Sequence, residues 1–197
     1  MGKMKMDWSL PPLPLPVALL GATVSGKANF FTIVWFNMLQ DNPPLIGAAM
    51  SKRRYTKNGI KEHGAFSLNI PPAHMAQVVD YCGLHSGAKV DKAGLFNIFY
   101  GELETAPMIQ ECILNIACKL VDSKEFRTTE LIIGEIAEMY CEERYLTEGN
   151  PDYRKMKPMI FFMPDGPYFR AGDFLAEAYK VGKNYMVSQP APNSDRV

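Results

Sequence analysis

Between residues 17 and 36 the chain runs VALLGATV, SGKAN, FFTIVWF. Two apolar, partly β-branched runs flank a short polar segment whose Gly26 and Asn29 tolerate positive φ, which predicts a β-hairpin. DNPP at 41–44 marks a second break, and PLIGAAMS then reads as a third strand whose small residues admit a close neighbour. TKNGIKEHG reads as a short polar helix and FSLNI at 66–70 as the next strand. PPAHMAQVVDYCG places Met75, Val78, Val79 and Cys82 at helical spacing behind a proline first turn.

The segments 112–126 and 128–143 both alternate over a long stretch with almost nothing between them. They predict a long antiparallel hairpin with Cys112, Leu114, Ile116, Cys118 and Leu120 toward the core, and Ile113, Asn115, Ala117, Lys119 and Val121 on the other face. From Leu146 the chain is rich in Pro, Gly and Tyr, with one amphipathic piece, AGDFLAEAYKVGK; PAPNSDRV reads as a tail. Antiparallel strands in this number with a few short helices define a mainly β protein, expected as a closed or nearly closed Greek-key-like barrel. The expected division is one domain over 10–185, an N-terminal extension over 1–9 and a tail over 186–197.

Composition narrows the class. The 197 residues are 47% hydrophobic, enough for a sizeable core, and 21 Lys plus Arg balance 21 Asp plus Glu. No global field draws nucleic acid or an anionic membrane, so any bound anion must meet a local cluster. The four cysteines form no CxxC pair, and the longest early apolar run is too short to span a bilayer and is broken by prolines. The expectation is a soluble, cytoplasmic protein with reduced thiols.

Three stretches carry candidate chemistry. YCGLHSGAKVDK at 81–92 sets Cys82 three residues before His85. A zinc site needs three or four protein ligands, and His63 and His74 stand alone, so no metal is expected. Nothing marks an orienting third group for a Cys–His nucleophile. Gly83, Ser86 and Gly87 lack bulk, so backbone N–H groups can face a ligand while Lys92 adds charge; a helix C-cap at Gly83 followed by a surface loop is the plain alternative. SKRRYT at 51–56 groups Lys52 and Arg53 with the hydroxyls of Ser51, Tyr55 and Thr56, a donor set for a phosphate dianion or else a solvated face. ANFFTIVWF at 28–36 combines polar Asn29 and Thr32 with aromatics, suited to a flat heteroaromatic ring or to a core strand. Alternate residues of that strand face opposite sides, so its second aromatic face needs a cover: the C-terminal segment, a ligand or a second subunit.

Taken in order, PLPVALLGATVSGKANFFTIVWF, PPLIGAAMSKRRYTKNGI, FSLNIP, DYCGLHSGAKVDKAGL and the paired strands ending in LIIGEI resemble the flavin reductase-like family of FMN-binding split barrels, flavoredoxins among them. The resemblance covers residues 10–145 and, more loosely, PYFRAGDFLAEAYKVGK. It implies noncovalent FMN on a split barrel near a homodimer interface, with electron or hydride transfer carried by the flavin and by no catalytic side chain. By that resemblance Ala28, Asn29, Phe30, Thr32 and Trp35 line the ring and ribityl chain. Ser51, Lys52, Arg53, Tyr55 and Thr56 surround the phosphate, and Cys82, Gly83, Ser86, Gly87 and Lys92 close the site. Implied partners are a small-molecule or protein electron donor and acceptor. Two rival readings are an enzyme that reduces and releases FMN and a non-catalytic barrel binding another phosphorylated aromatic. One departure stands out: related sequences often carry His where Glu130 stands, so no proton-relay or nicotinamide-positioning role is carried over to it.

Overall fold

The computed structural model describes residues 2–7 and 10–183. In chain order the elements are β1 (Pro14–Pro16), β2 (Ala18–Val24), β3 (Lys27–Ile33), β4 (Phe36–Asp41), β5 (Pro44–Ser51), α1 (Thr56–His63), β6 (Ala65–Ile70) and α2 (Ala76–Leu84). There follow β7 (Ile98–Phe99), β8 (Met108–Ile109), β9 (Leu114–Glu125), β10 (Thr129–Cys141), β11 (Leu146–Thr147), β12 (Asn150–Pro151), α3 (Tyr153–Met156), β13 (Met159–Phe162) and β14 (Tyr168–Arg170). The main body is a seven-stranded antiparallel sheet ordered β3-β2-β6-β9-β10-β5-β4, beside a small β1-β13-β14 sheet.

The β2–β3 hairpin turns at Ser25 and Gly26, both at positive φ (50° and 75°), the twist-matched two-residue turn. Asn29, expected in that turn, lies instead inside β3 with its side chain buried. The apolar run FFTIVWF is also not one strand. It breaks at Val34 and Trp35, and Phe36 opens β4, which pairs with β5 across the Asn42–Pro43 turn. The strands at opposite margins of the sheet are therefore consecutive in the chain and tied by two residues, so the sheet must curl. No ladder joins β3 to β4 among the described residues, so the curl is not closed by hydrogen bonds.

The β9–β10 hairpin forms as the alternation predicts, in register Cys118↔Ile136 and bent by irregularities at Ile133/Gly134 and Ile136/Glu138. Ile116 and Cys118 join Leu20, Phe31, Ile60, Phe66, Leu68 and Ile132 in one core cluster. The other face of β9 is buried as well at Asn115 and Ala117, beneath the segment around Met108. Cys112 lies before the strand, in a second cluster with Leu19, Phe30, Val79, Cys82 and Met159.

That second cluster answers the aromatic surplus of β3. Phe31 enters the first cluster, while Phe30 packs under α2, whose Met75-side turn, Val79 and Cys82 present the predicted apolar stripe. Much of the cover is thus a helix of the same chain. Gly83 sits within α2 and does not cap it; His85 holds the C-cap position. Helix α1 ends at Gly64 in the left-handed region (φ 64°), and a Cβ at Gly59 would fall on the Thr23 carbonyl, so glycine lets α1 lie directly on β2. Residues 171–177 are irregular and 178–183 form turns, with no helix over 171–183. The PAPNSDRV tail lies outside the described residues. Among the described residues no helix is long and apolar enough to cross a membrane.

Candidate functional site

The loop from β5 to α1 and the loop after α2 face each other across a hollow of about 250 Å³. Ser51, Arg53, Arg54, Tyr55 and Thr56 form one wall; Leu84, His85, Ser86, Gly87 and Lys92 form the other, with Phe31 between them. Among the described residues no carboxylate lines it. Cations and hydroxyls without an acid define a seat for an anion. Helix α1 starts at Thr56, which adds the positive end of its dipole to the same place.

Each wall is held from behind. Asn29 on β3 donates to Thr56 Oγ1 at 2.6 Å. A Cβ at Gly87 would fall on the amide of Asn29, so only glycine brings the second loop this close. Arg54 donates from Nη1 to the Gly83 carbonyl at 2.9 Å and lays its guanidinium over Phe31, 5.1 Å from the ring centroid. Burial lowers the Arg54 pKa below its ordinary value. Lys92 donates to the carbonyls of Phe30 (2.9 Å) and Cys82 (2.8 Å), clamping β3 to the end of α2; burial lowers its pKa, with the Cys82 thiol opposing and Arg54 adding to the shift. Burial raises the Cys82 thiol to about 11 despite nearby Lys92.

Of the residues expected to meet a ligand, Ser51, Arg53, Tyr55, Thr56, Ser86, Gly87 and Lys92 come together here. Ala28 and Asn29 line an adjoining hollow that shares Tyr55, Gly87 and Lys92. Phe30 is fully buried and stacks edge-on against Phe96, centroids 5.4 Å apart. The Thr32 hydroxyl donates to the Val79 carbonyl, and Cys82 and Gly83 contribute carbonyls to the clamps. Phe30, Thr32, Cys82 and Gly83 thus stand behind the walls and line neither hollow, and two further expected residues are engaged elsewhere. Lys52 turns to Glu125 at 2.8 Å, and Trp35 donates its indole N–H to Met163 Sδ at 3.0 Å beside Pro14, Phe36 and Leu131.

Phe31, Arg54, Leu84 and His85 line the hollow as well, beyond the residues the sequence points to. A run of three cations does not say which one faces inward; Glu125 at the β9–β10 tip decides it by taking Lys52. His85 stacks on Tyr81 at a centroid distance of 4.2 Å. Among the described residues no three His, Cys, Asp or Glu side chains gather around one point.

Glu130, fully buried, pairs with Lys61 at 2.8 Å and Lys57 at 3.2 Å on successive turns of α1. Burial alone raises its carboxyl pKa, but the two lysines outweigh that and hold it below the ordinary range.

This curled sheet belongs to a known class. The profile of the Flavin reductase like domain matches residues 10–162, and the chain belongs to that family of flavin-linked electron-transfer proteins. Among solved structures, a flavoredoxin from Methanosarcina acetivorans is 48% identical, with TM-score 0.90 over 94% of this chain and 100% of that one. A flavoredoxin of Desulfovibrio vulgaris (Miyazaki F) is 33% identical, with TM-score 0.85 over 93% and 100%. An FMN-binding protein from Thermus thermophilus, solved with bound p-hydroxybenzaldehyde, is 25% identical, with TM-score 0.75 over 90% and 100%.

Proposed function

We propose that this protein is a split-barrel flavoprotein that binds FMN noncovalently and passes electrons or hydride between a small-molecule or protein donor and an acceptor. The observation that carries the reading is the carboxylate-free hollow of Arg53, Arg54, Tyr55, Thr56 and the Ser86–Gly87 loop. Its donor set fits the phosphate of FMN, and the bare Gly87 and small Ser86 admit a ligand close to backbone. Similarity to flavoredoxins and to an FMN-binding protein supports the same cofactor.

When bound, FMN supplies the redox centre. The chain's part is to hold it. Arg53 has no acidic partner among the described residues and is free to meet the phosphate. Thr56 Oγ1 already accepts a bond from Asn29, so its own proton is available to donate. Arg54 ties the first loop to the end of α2, and Lys92 ties β3 to the same place.

The test is a titration of apoprotein with FMN and with riboflavin. The double variant Arg53→Ala, Thr56→Ala is expected to weaken FMN by about 2 to 4 kcal/mol and riboflavin far less, since each charge-assisted bond to phosphate is worth ~1.5 to 3 kcal/mol. Equal FMN affinity in parent and variant defeats the reading. Flavin retained through dialysis marks FMN as a resident cofactor; flavin lost marks it as a released substrate.

A further inference from the structure

From Lys3 to Leu10 the chain reads KMKMDWSL, with apolar residues at 4, 6, 8 and 10 and polar ones between them. That is the period of a strand buried on one face. Over residues 2–7, however, the chain forms no strand, and Met4 and Met6 stand 88% and 57% exposed. In the single chain this alternating arm spends its apolar side on solvent.

The sheet offers a matching half. Strand β4 has β5 on one side and, among the described residues, no strand on the other. Beside it, between β1 and the β4–β5 pair, runs a groove of about 470 Å³. Pro14, Pro16, Trp35, Leu39, Ala49 and Leu131 are among its lining, which holds no charged side chain. Leu39 lies across Gly47, where a Cβ would meet its Cδ1, so the outer side of this margin is apolar. An open strand margin with an apolar flank is a template for one more strand.

The arm of the same chain does not fill that place. No residue of 2–7 lines the groove, although the chain runs from the arm into Pro14. Pro11, Pro12, Pro14 and Pro16 fix four backbone φ angles on the way, the Leu13 N–H donates to the Pro11 carbonyl at 2.8 Å, and the Leu13 carbonyl accepts from Met163 N–H at 3.2 Å. The body therefore sets the direction in which the arm leaves, and that direction is away from its own groove.

We infer that the arm carrying Met4 and Met6 is an exchange arm, which adds an antiparallel strand to the β4 margin of a second copy and lays its apolar side into that copy's groove. A two-fold pair lets each copy receive the other's arm, so neither margin stays open. The antiparallel sense brings Lys3 and Lys5 to the Asp41 end of β4, and none of these three has an ion-pair partner among the described residues. No flavin enters the inference, which stands apart from the proposed function.

Dilution and cross-linking of the full-length protein test it. Sedimentation velocity gives the dimer dissociation constant of the parent, of Met4→Lys, Met6→Lys, and of Asp7→Ala on the opposite side of the arm. The lysine pair is expected to raise the constant about tenfold or more, and Asp7→Ala to change it by less than about twofold. For the second measurement Cys141 is replaced by Ser, since the other three cysteines are buried. A Met6→Cys chain and a Leu39→Cys chain in that background are mixed in equal amounts and treated with a short bismaleimide. The expected product is a covalent pair with one chain of each kind. Four results overturn the inference: a parent that stays monomeric, an unchanged constant in Met4→Lys, Met6→Lys, no covalent pair from the mixture, or a chain carrying both cysteines that links only to itself. FMN binding is measured independently of all four, so the proposed function survives or fails on its own titration.

Discussion

Asn29 and Thr56, 27 residues apart, meet through a 2.6 Å hydrogen bond that ties the middle of β3 to the first residue of α1, while the same Asn29 amide lies where a side chain on Gly87 would have to go. One buried amide thereby spaces both walls of the hollow. Gly87→Ala is expected to cost about 1 to 3 kcal/mol of stability, because Asn29 cannot yield without losing its bond. It should also weaken FMN more than Gly94→Ala, whose Cβ meets nothing within 4 Å. Thermal unfolding and flavin titration of the two variants check this.

Cys82 is expected to be inert. Its thiol is buried and pushed up to about 11, so almost none is thiolate near neutral pH. Cys82→Ser should retain flavin and its reduction by dithionite, and a thiol reagent at pH 8 should label only Cys141 rapidly, since Cys112 and Cys118 are buried too. The raised value also fixes the sign of the pH effect. The thiol's contribution to stability is whole below its unfolded value of 9.0 and fades as pH climbs toward 11. Rapid labelling of Cys82 in the native protein contradicts this.

Glu130 should behave as a structural anchor of α1. Glu130→Gln leaves Lys57 and Lys61 without their shared acid and is expected to destabilise the fold by about 3 kcal/mol. Because the folded carboxyl is held below its ordinary 4.5, its contribution is present above that pH and disappears as pH falls through the folded value. Urea midpoints from pH 7 to pH 3 should therefore drop more steeply in the parent than in the variant. Parallel curves refute the anchor.

The family resemblance and one margin of the sheet lead us to expect a homodimer. Strand β4 is an end strand whose Met38 and Leu39 are exposed, beside half-exposed Trp35. Light scattering with simultaneous flavin absorbance over a dilution series should show dimers that lose flavin as they dissociate. A Met38→Lys, Leu39→Lys variant should be monomeric at concentrations where the parent is dimeric.

The parts legible in the sequence were those written locally. Ser25–Gly26, the alternation of 112–143 and the stripe Met75, Val79, Cys82 each encode their element in neighbouring residues. The break at Val34–Trp35 was hidden because FFTIVWF is apolar throughout; what ends β3 is the passage of the chain to the far margin of the sheet, a long-range fact. The site was legible as three clusters of residue types, since hydroxyls, cations and glycines group by position. Which cation faces the hollow was not, because Glu125 claims Lys52 from 73 residues away, and only the β9–β10 pairing brings it there. Asn29 read as a turn residue for the same reason: its partner Thr56 is distant in the chain.

The two-residue passage from Ile33 to Phe36 acts as a length gauge for the whole protein. Lengthening it would let the margins of the curled sheet slide apart, so the strand behind the anion hollow and the exposed strand β4 would no longer move as one body. Val34 and Trp35 join β4 directly to the strand that carries Phe31, which lines the hollow, and Phe30, whose carbonyl receives Lys92. Insertions at the exposed Glu148–Gly149 turn have no such reach, and the contrast between the two positions makes strand β4 a handle on the hollow from outside it.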